Sequence, residues 1–251
     1  MALHVVALSG GKDSTAMALR LAEVAPRDYV YVCTPTGDEP PEMFAHWRML
    51  GEVLGNKILP VMGGTLDGLI RRQNALPNWR QRWCTRMLKI DPYAAWLTRQ
   101  IAEHGEIISY VGLRADEETR EGGDYTEIPG VTQVYPMRDW GWGLNDVLDY
   151  LRTKNVSIPI RTDCLKCFYQ RLIEWWEFWH RAFVLGDEVY KAAWVEGEAW
   201  ELLTGYTLRS PGRDTWPAAL KDLRVRFESG DVPRDTRPDH INKMKCRVCT
   251  K

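Results

Sequence analysis

A short apolar run at residues 3–8 leads directly into the segment ALSGGKDST at residues 7–15, and this junction constrains the fold more than any other part of the chain. The run is rich in valine and leucine and predicts a buried strand of a parallel sheet. Apolar residues at helical spacing over 14–25 predict a helix immediately afterwards. Gly10 and Gly11 let the intervening backbone bend and approach a ligand closely. The sequence therefore predicts a strand–loop–helix unit.

The loop of this unit has the features of an anion site. Its successive backbone N–H groups can point into a concavity, the helix presents unpaired N–H donors at its N-terminus, and Lys12 adds a positive charge. A Walker A loop is excluded because Val6 occupies the position of its first glycine. We predict that phosphate is bound by seven consecutive residues: Leu8, Ser9, Gly10, Gly11, Lys12, Asp13 and Ser14.

Strands and helices alternate through the first part of the chain. Further strands are predicted at residues 28–37, 56–62, 106–113 and 131–137, and helices at 41–55, 88–104 and 144–154, with a loop at 63–83. The alternation predicts an α/β fold with a mainly parallel sheet. Beyond about residue 144 the pattern becomes helical, chiefly over 169–204. We predict a nucleotide-binding domain at residues 1–153 and a helical, cysteine-bearing C-terminal region at residues 154–251.

Five segments resemble those of known enzymes. SGGKDS resembles the pyrophosphate loop (PP-loop) of the N-type ATP pyrophosphatases, and TGDEPPE and WCTRMLKIDP resemble segments of the phosphoadenosine phosphosulfate (PAPS) reductase family. GLRADEETR, at 112–120, resembles a signature of sulfate adenylyltransferase small subunits and of the reductases, and YPMRDWGWGLNDVLDYL resembles a further stretch of that family. The resemblance covers roughly residues 3–153. It implies an adenine nucleotide alpha-hydrolase-like fold, with helices on both faces of the sheet.

The resemblance also implies a reaction. ATP, with Mg²⁺, would be cleaved between its α and β phosphates and the acceptor adenylylated, a reaction that depends on positioning and charge neutralisation. Catalytic roles are implied for Lys12, Asp13 and Arg114, and further nucleotide contacts for Asp38 and Gly112. Candidate substrate contacts are Arg86, Lys89 and Arg120. Alternatively, Arg114 is a surface arginine paired with a nearby acid, and Asp38 a solvated turn residue.

The favoured function is an ATP-dependent adenylylating enzyme in sulfur transfer. Reductases that consume preformed adenylyl sulfate commonly lack the loop lysine, so an intact Lys12 and Asp13 favour ATP as co-substrate. One alternative is reduction of PAPS or adenylyl sulfate to sulfite, with a tail thiol as nucleophile. Another is a non-catalytic nucleotide-binding subunit with a structural zinc ion. The sequence leaves the acceptor open among sulfate, a tRNA base, a DNA phosphate and a small metabolite.

Five of the six cysteines form a pattern, whereas Cys33 lies in an apolar strand as a small buried thiol. The two C-x-x-C pairs are Cys164 with Cys167 and Cys246 with Cys249. Two such pairs are typical of a four-thiolate zinc site, which would leave Cys84 unused. The resemblance implies instead a [4Fe–4S] cluster on Cys84, Cys164 and Cys167, with a tail cysteine or an open iron completing it. We expect the cluster rather than zinc, and free redox thiols are a third reading.

Two other segments admit a functional reading. Basic residues crowd the chain around Cys84: Arg71, Arg72, Arg80, Arg82, Arg86 and Lys89. They suit a phosphate-rich substrate such as a nucleic-acid backbone, or form an ordinary charged loop. The aromatic segment LIEWWEFWHRAF at 172–183 suits base stacking, but a core helix covering the metal site is the favoured interpretation.

Composition adds few constraints. The formal net charge is −1, which argues against nucleic-acid binding by bulk charge alone but not against a local basic groove. No apolar segment reaches the length of a membrane span, and the N-terminus has no secretory pattern. We therefore expect a cytoplasmic protein without a membrane partner. The sequence is compatible with a homo-oligomer.

Overall fold

Five parallel strands form one sheet in the computed structural model, which describes residues 2–120, 122–156 and 158–235. The strands are β1 (Leu3–Ala7), β2 (Tyr29–Cys33), β3 (Ile58–Pro60), β4 (Ile107–Tyr110) and β5 (Val131–Val134). Their spatial order is β3-β2-β1-β4-β5, and every pair is parallel. The predicted α/β class and parallel sheet are therefore confirmed.

The central strand β1 is the point at which the strand order reverses. Val6 of β1 lies opposite Tyr31 of β2 on one side and opposite Tyr110 of β4 on the other. The chain first extends the sheet from β1 towards β3 and then returns to add β4 and β5 on the opposite side. Open α/β sheets bind ligands outside the carboxyl ends of their strands at such a reversal. A ligand site is therefore expected at the carboxyl ends of β1 and β4.

Helices cover both faces of the sheet. Val6 packs in one cluster with residues of α1 (Lys12–Val24), α2 (Pro41–Val53) and α7 (Leu144–Thr153). The neighbouring residue, Val5, points to the other face, where it packs with residues of α5 (Asp91–His104). Successive strand residues alternate between faces, so a continuous apolar strand requires cover on both sides. The helices on both faces confirm the implied architecture.

The predicted loop at 63–83 is wrong in part, because it contains α3 (Leu66–Gln73). The Thr65 hydroxyl accepts a hydrogen bond from the Gly68 N–H at 3.1 Å and caps this helix. Its apolar residues are few, but Leu69 and Ile70 are buried against the C-terminal helices. Tertiary packing therefore stabilises a segment whose composition predicts a loop.

The next helical segment begins earlier than predicted. It runs through α4 (Trp83–Thr85), a π-helical turn (Arg86–Ile90) and α5 without a break. Pro92 lies in the first turn of α5, where its missing N–H would otherwise interrupt an α-helical ladder. A π-helical turn placed before a proline lets the chain remain helical, and such turns recur at functional sites.

The C-terminal region is helical. Its helices are α8 (Leu172–Trp179), which a π-helical turn (His180–Val184) continues, α9 (Glu188–Thr204) and α10 (Leu220–Glu228). Before this region, the short helix α6 (Pro136–Asp139) precedes α7. Trp175, Phe178 and Trp179 are buried in one apolar cluster that includes α3. The core reading of the aromatic segment is confirmed for these three residues. The proposed domain division at residue 153 stays a prediction.

In the ranges that the structure describes, no helix is both long and apolar enough to cross a membrane.

Candidate nucleotide-binding site

The glycine loop lies between the end of β1 and the start of α1, and two side chains of α2 hold its carbonyl groups. Trp47 donates its indole N–H to the Ser9 carbonyl at 3.1 Å. The Nε2 atom of His46 lies 3.0 Å from the Gly10 carbonyl, and because a carbonyl only accepts, Nε2 carries the proton. Burial lowers the pKa of His46, so the ring is neutral at physiological pH.

These two bonds determine where the loop N–H groups point. In a planar trans peptide the C=O and N–H groups face opposite ways. The Ser9 and Gly10 carbonyls face α2, so the N–H groups of Gly10 and Gly11 face away from it. Ser9 Oγ lies 3.0 Å from Ser14 Oγ and accepts from the Gly11 N–H at 3.3 Å. The loop is thus ordered with its donors turned away from the supporting helix.

Only one of the two loop glycines is required by the backbone. Gly10 has a φ of +83°, and a Cβ atom there would lie 2.6 Å from Trp47 Nε1 and 2.9 Å from Met43 Cε. Gly11 has a φ of −72°, and the nearest atom to a Cβ there is Ser9 Oγ at 3.5 Å. Substitution of Gly11 therefore serves as the control for substitution of Gly10.

We expect Gly10→Ala to lower the free energy of unfolding by about 2 kcal/mol or more, because the left-handed backbone and the clash with Trp47 add together. Gly11→Ala should change it by no more than about 0.5 kcal/mol. Urea unfolding of both variants measures the difference. Equal destabilisation of the two variants would show that α2 does not constrain the loop at Gly10.

A buried network of charges adjoins the loop. The carboxylate of Asp13 accepts from Lys12 Nζ at 2.9 Å and from Arg114 Nη1 at 3.1 Å. The exposed fractions are 5% for Lys12, 7% for Asp13 and 2% for Arg114. Cations held this far from water are unusual unless they are paired or bind an anionic ligand. One carboxylate therefore orients two cations that come from the ends of two adjacent strands.

Arg114 has further acidic partners in the segment after β4. Its Nε donates to Asp116 at 2.8 Å, and its Nη2 lies 3.3 Å from Glu117, which also pairs with Arg120 at 2.9 Å. Burial disfavours the charged guanidinium, but Asp13 and Glu117 together raise the pKa of Arg114. Arg138 donates to the carbonyls of Glu117 and Arg120 and so holds this segment against the network.

Gly112 explains how Arg114 reaches Asp13. A Cβ atom at Gly112 would lie 3.1 Å from both the N and the Cα atoms of Ser14. Any side chain would push the segment after β4 away from the start of α1. The predicted loop residue Leu8 differs in role, because its side chain is fully buried in the core and its N–H donates to Val32. Only its backbone adjoins the loop.

Asp38 occupies a position different from the one expected of a nucleotide contact. Its buried carboxylate forms an ion pair with Lys166 Nζ and accepts from the Lys166 N–H at 3.0 Å. The Lys166 ammonium also pairs with Glu196 at 2.9 Å and lies 4.4 Å from the centre of the Trp200 ring. Asp38 therefore fastens the segment around Lys166 to the end of β2. Its contact with nucleotide stays a prediction.

One of the predicted metal ligands, Cys164, contacts the end of β2 at this junction. Cys164 Sγ lies 3.1 Å from the Thr36 hydroxyl at the end of β2. Burial raises the pKa of Cys164 to about 12 and the pKa values of Cys84 and Cys167 as well. The positive charge of Lys89 opposes the rise in pKa at both Cys84 and Cys164. Burial therefore disfavours the thiolate form of these three side chains when no metal is bound.

The predicted metal site is not assembled by the residues that the structure describes. Among them, no three side chains of histidine, cysteine, aspartate or glutamate are grouped as metal ligands. Cys246 and Cys249 lie outside the described residues. The assignment of Cys84, Cys164 and Cys167 as metal ligands stays a prediction, and we derive no step through a metal centre.

The structure separates the three predicted substrate contacts. Arg120 joins the Arg114 network through Glu117, and the charge of Lys89 acts on the pKa values of Cys84 and Cys164. Arg86 is exposed and its Nε lies 3.6 Å from Asp91. Sequence reasoning missed the loop-supporting residues His46 and Trp47, because they are adjacent residues in an ordinary helical pattern. Arg138 lies within a segment that already resembled the PAPS reductase family.

The sheet order identifies a doubly wound α/β fold, and the glycine loop and the buried cations lie at the point where its strand order reverses. Residues 3–160 match the family model of the phosphoadenosine phosphosulfate reductase domain, which spans more than half of the chain. The chain belongs to this family, as its resemblance to the family predicted. The match supports nucleotide binding and sulfur chemistry at the level of an enzyme family.

Comparison with curated proteins finds no match. Among solved structures, the chain is similar to phosphoadenylyl-sulfate reductase from Candida auris in its phosphate complex. The two sequences are 13% identical, the match covers 63% of this chain and 75% of that chain, and the TM-score is 0.47. The chain is also similar to the U34-tRNA thiolase NcsA from Methanococcus maripaludis with its [4Fe-4S] cluster, with 15% identity, coverage of 100% and 80%, and a TM-score of 0.46. The family assignment rests on the match over residues 3–160.

Proposed function

We propose that this protein is an ATP-dependent adenylylating enzyme that acts in sulfur-transfer chemistry. The observation that carries the proposal is the buried Asp13 carboxylate, which pairs with both Lys12 and Arg114. It thereby brings a cation of the loop and a cation from the end of β4 together. Two buried cations beside a helix N-terminus suit a polyphosphate better than a single small anion. The intact loop supports ATP rather than a nucleotide without a triphosphate.

The charges of the network support MgATP as the substrate. The network consists of three cations and three carboxylates: Lys12, Arg114, Arg120, Asp13, Asp116 and Glu117. Because these charges sum to zero, the site alone does not neutralise a triphosphate. A magnesium ion that arrives with ATP supplies the missing positive charge, and carboxylate oxygens are suitable ligands for it. We therefore propose that free ATP binds poorly.

The proposed step is a displacement at the α phosphate. An oxygen of the acceptor forms a bond to the α phosphorus while the bond to the bridging α–β oxygen breaks, and that electron pair leaves with pyrophosphate. The loop N–H groups and Lys12 would bind the β and γ phosphates, which gain charge as they leave. Arg114 would contact the α phosphate. The products are AMP joined to the acceptor, and pyrophosphate.

The family match favours a second candidate, the reduction of PAPS to sulfite. That reaction needs a thiolate that attacks sulfur, but burial raises the pKa of each described thiol near the site. Only the tail thiols, which lie outside the described residues, could serve instead. The first candidate is preferred because the loop retains Lys12 and Asp13, which suit a triphosphate.

Product analysis tests the proposal. Full-length protein is incubated with Mg²⁺ and [α-³²P]ATP in the presence of sulfate or oligonucleotide acceptors, and separately with PAPS and a dithiol reductant. We expect radiolabelled AMP or an AMP adduct together with pyrophosphate, and no sulfite. Radiolabelled ADP, or sulfite formed from PAPS while ATP is untouched, would refute the proposed reaction.

A further inference from the structure

The chain has a strongly basic segment, residues 72–90, which we call the 72–90 surface. It contains five basic residues and no acidic residue, in a chain whose formal net charge is −1. The basic residues are Arg72, Arg80, Arg82, Arg86 and Lys89. The acids nearest in sequence are Asp67, which pairs with Arg71 outside the segment, and Asp91, which lies 3.6 Å from Arg86. Positive charge is therefore in excess along this surface.

An exposed tryptophan projects from the same surface. Trp79 is 57% exposed, and it is the one exposed tryptophan among the twelve of the chain, all of which fall in the described ranges. The Arg80 guanidinium lies 4.7 Å from the centre of its ring. The ring is therefore accessible to a molecule outside the fold.

The turn that carries Trp79 is well ordered. The Asn78 side chain accepts from the N–H groups of Arg80 and Gln81 at 2.9 and 3.0 Å. Asn78 and Gln81 also pair through their backbones, and Leu76 is buried at the base of the turn. Trp79 is thus presented on a rigid turn, which lowers the entropic cost of stacking a planar ligand on it.

The 72–90 surface leads towards the candidate site. Arg82 lies 5.5 Å from the centre of the Tyr169 ring, and Cys164, five residues before Tyr169, contacts the Thr36 hydroxyl at the end of β2. Thr162, two residues before Cys164, lies beside Gly11, because a Cβ atom at Gly11 would be 3.7 Å from its hydroxyl. The segment at residues 162–169 therefore lies beside both Arg82 of the 72–90 surface and Gly11 of the glycine loop.

We propose that the 72–90 surface binds a single-stranded nucleic acid, which is the acceptor of the adenylyl group. Exposed arginines contact its phosphates, and Trp79 stacks on one base. Aromatic rings interleaved with basic residues are the usual means by which proteins bind single strands. The role of the nucleic acid as acceptor rests on the proposed function. The binding of a single strand to the 72–90 surface does not depend on it.

Binding is measured without ATP by fluorescence anisotropy, using the full chain and labelled RNA and DNA single strands of about 16 nucleotides. The test variants are Trp79→Ala and Arg80→Gln. Their matched controls are Tyr206→Ala, whose ring is 65% exposed, and Arg152→Gln, an exposed arginine outside the surface. Duplexes of the same sequence and poly-glutamate serve as competitors.

We expect Trp79→Ala to weaken single-strand binding about tenfold or more and Arg80→Gln to reduce the salt dependence, log Kd against log salt, by about 0.7. The controls should leave both unchanged. Tighter binding of RNA or of DNA identifies the acceptor type, and either supports the proposal. Equal binding of duplex, equal competition by poly-glutamate, or unchanged binding by both test variants would overturn it.

The outcome is independent of the proposed reaction. If adenylylation fails while single strands bind through Trp79, the proposed function is wrong and the surface assignment stands. If sulfate is adenylylated while single strands do not bind, the surface assignment alone fails.

Discussion

A Lys12→Ala variant is expected to bind MgATP about 100-fold more weakly than the wild-type protein, and to bind AMP with nearly unchanged affinity. The Lys12 ammonium is buried beside the loop and has one described partner, Asp13. Charge-assisted hydrogen bonds of a buried cation to phosphate contribute about 1.5–3 kcal/mol. AMP lacks the β and γ phosphates that this ammonium is proposed to bind, so its affinity should not depend on it.

Isothermal titration with both nucleotides measures the effect. The exposed Lys57→Ala variant removes the same charge from the surface and controls for net charge. Equal losses of ATP and AMP affinity would place Lys12 away from the β and γ phosphates and undo the assignment of the loop.

Arg114→Lys is expected to lower kcat about 100-fold while changing the dissociation constant of ATP only a few-fold. Charge develops at the α phosphate during displacement, and removing one well-placed donor from such a site costs about 10²–10³ in kcat. Lysine keeps the positive charge opposite Asp13 but not the planar fork that reaches Asp116 and Glu117 simultaneously. The substitution therefore tests geometry more than charge.

Single-turnover kinetics with saturating ATP separate the chemical step from binding, and thermal unfolding checks that the network still folds. Arg114→Ala is the less informative variant, because it leaves three carboxylates without this partner. Loss of ATP affinity with unchanged turnover of the bound nucleotide would make Arg114 a binding residue only.

Local patterns predicted the parts of the fold that depend on local chemistry. The continuous apolar strand β1, the glycine loop and α1 follow one another in sequence, so their structure can be inferred from residues 3–25 alone. The site around Arg114 was inferred from its place after a strand and from family resemblance. The partner acids Asp116 and Glu117 stand within three residues of it, and the structure adds the long-range bond to Asp13.

The missed features depend on contacts between distant residues. Helix α3 forms because Leu69 and Ile70 pack against helices more than 100 residues later in the chain, which no local pattern records. The same holds for Asp38, whose partner Lys166 is 128 residues away. His46 and Trp47 hold the loop through its carbonyl groups, and a backbone acceptor leaves no signature in the sequence.

The most direct test of the central claim uses two ATP analogues with different uncleavable bonds. In the presence of the acceptor, β,γ-imido-ATP should be consumed to AMP products and imidodiphosphate, because its α–β bond is intact. α,β-Methylene-ATP should bind competitively and remain uncleaved. The reverse pattern, with the α,β-methylene analogue hydrolysed at its γ phosphate and the β,γ-imido analogue inert, would contradict the proposal that Lys12, Asp13 and Arg114 serve cleavage between the α and β phosphates.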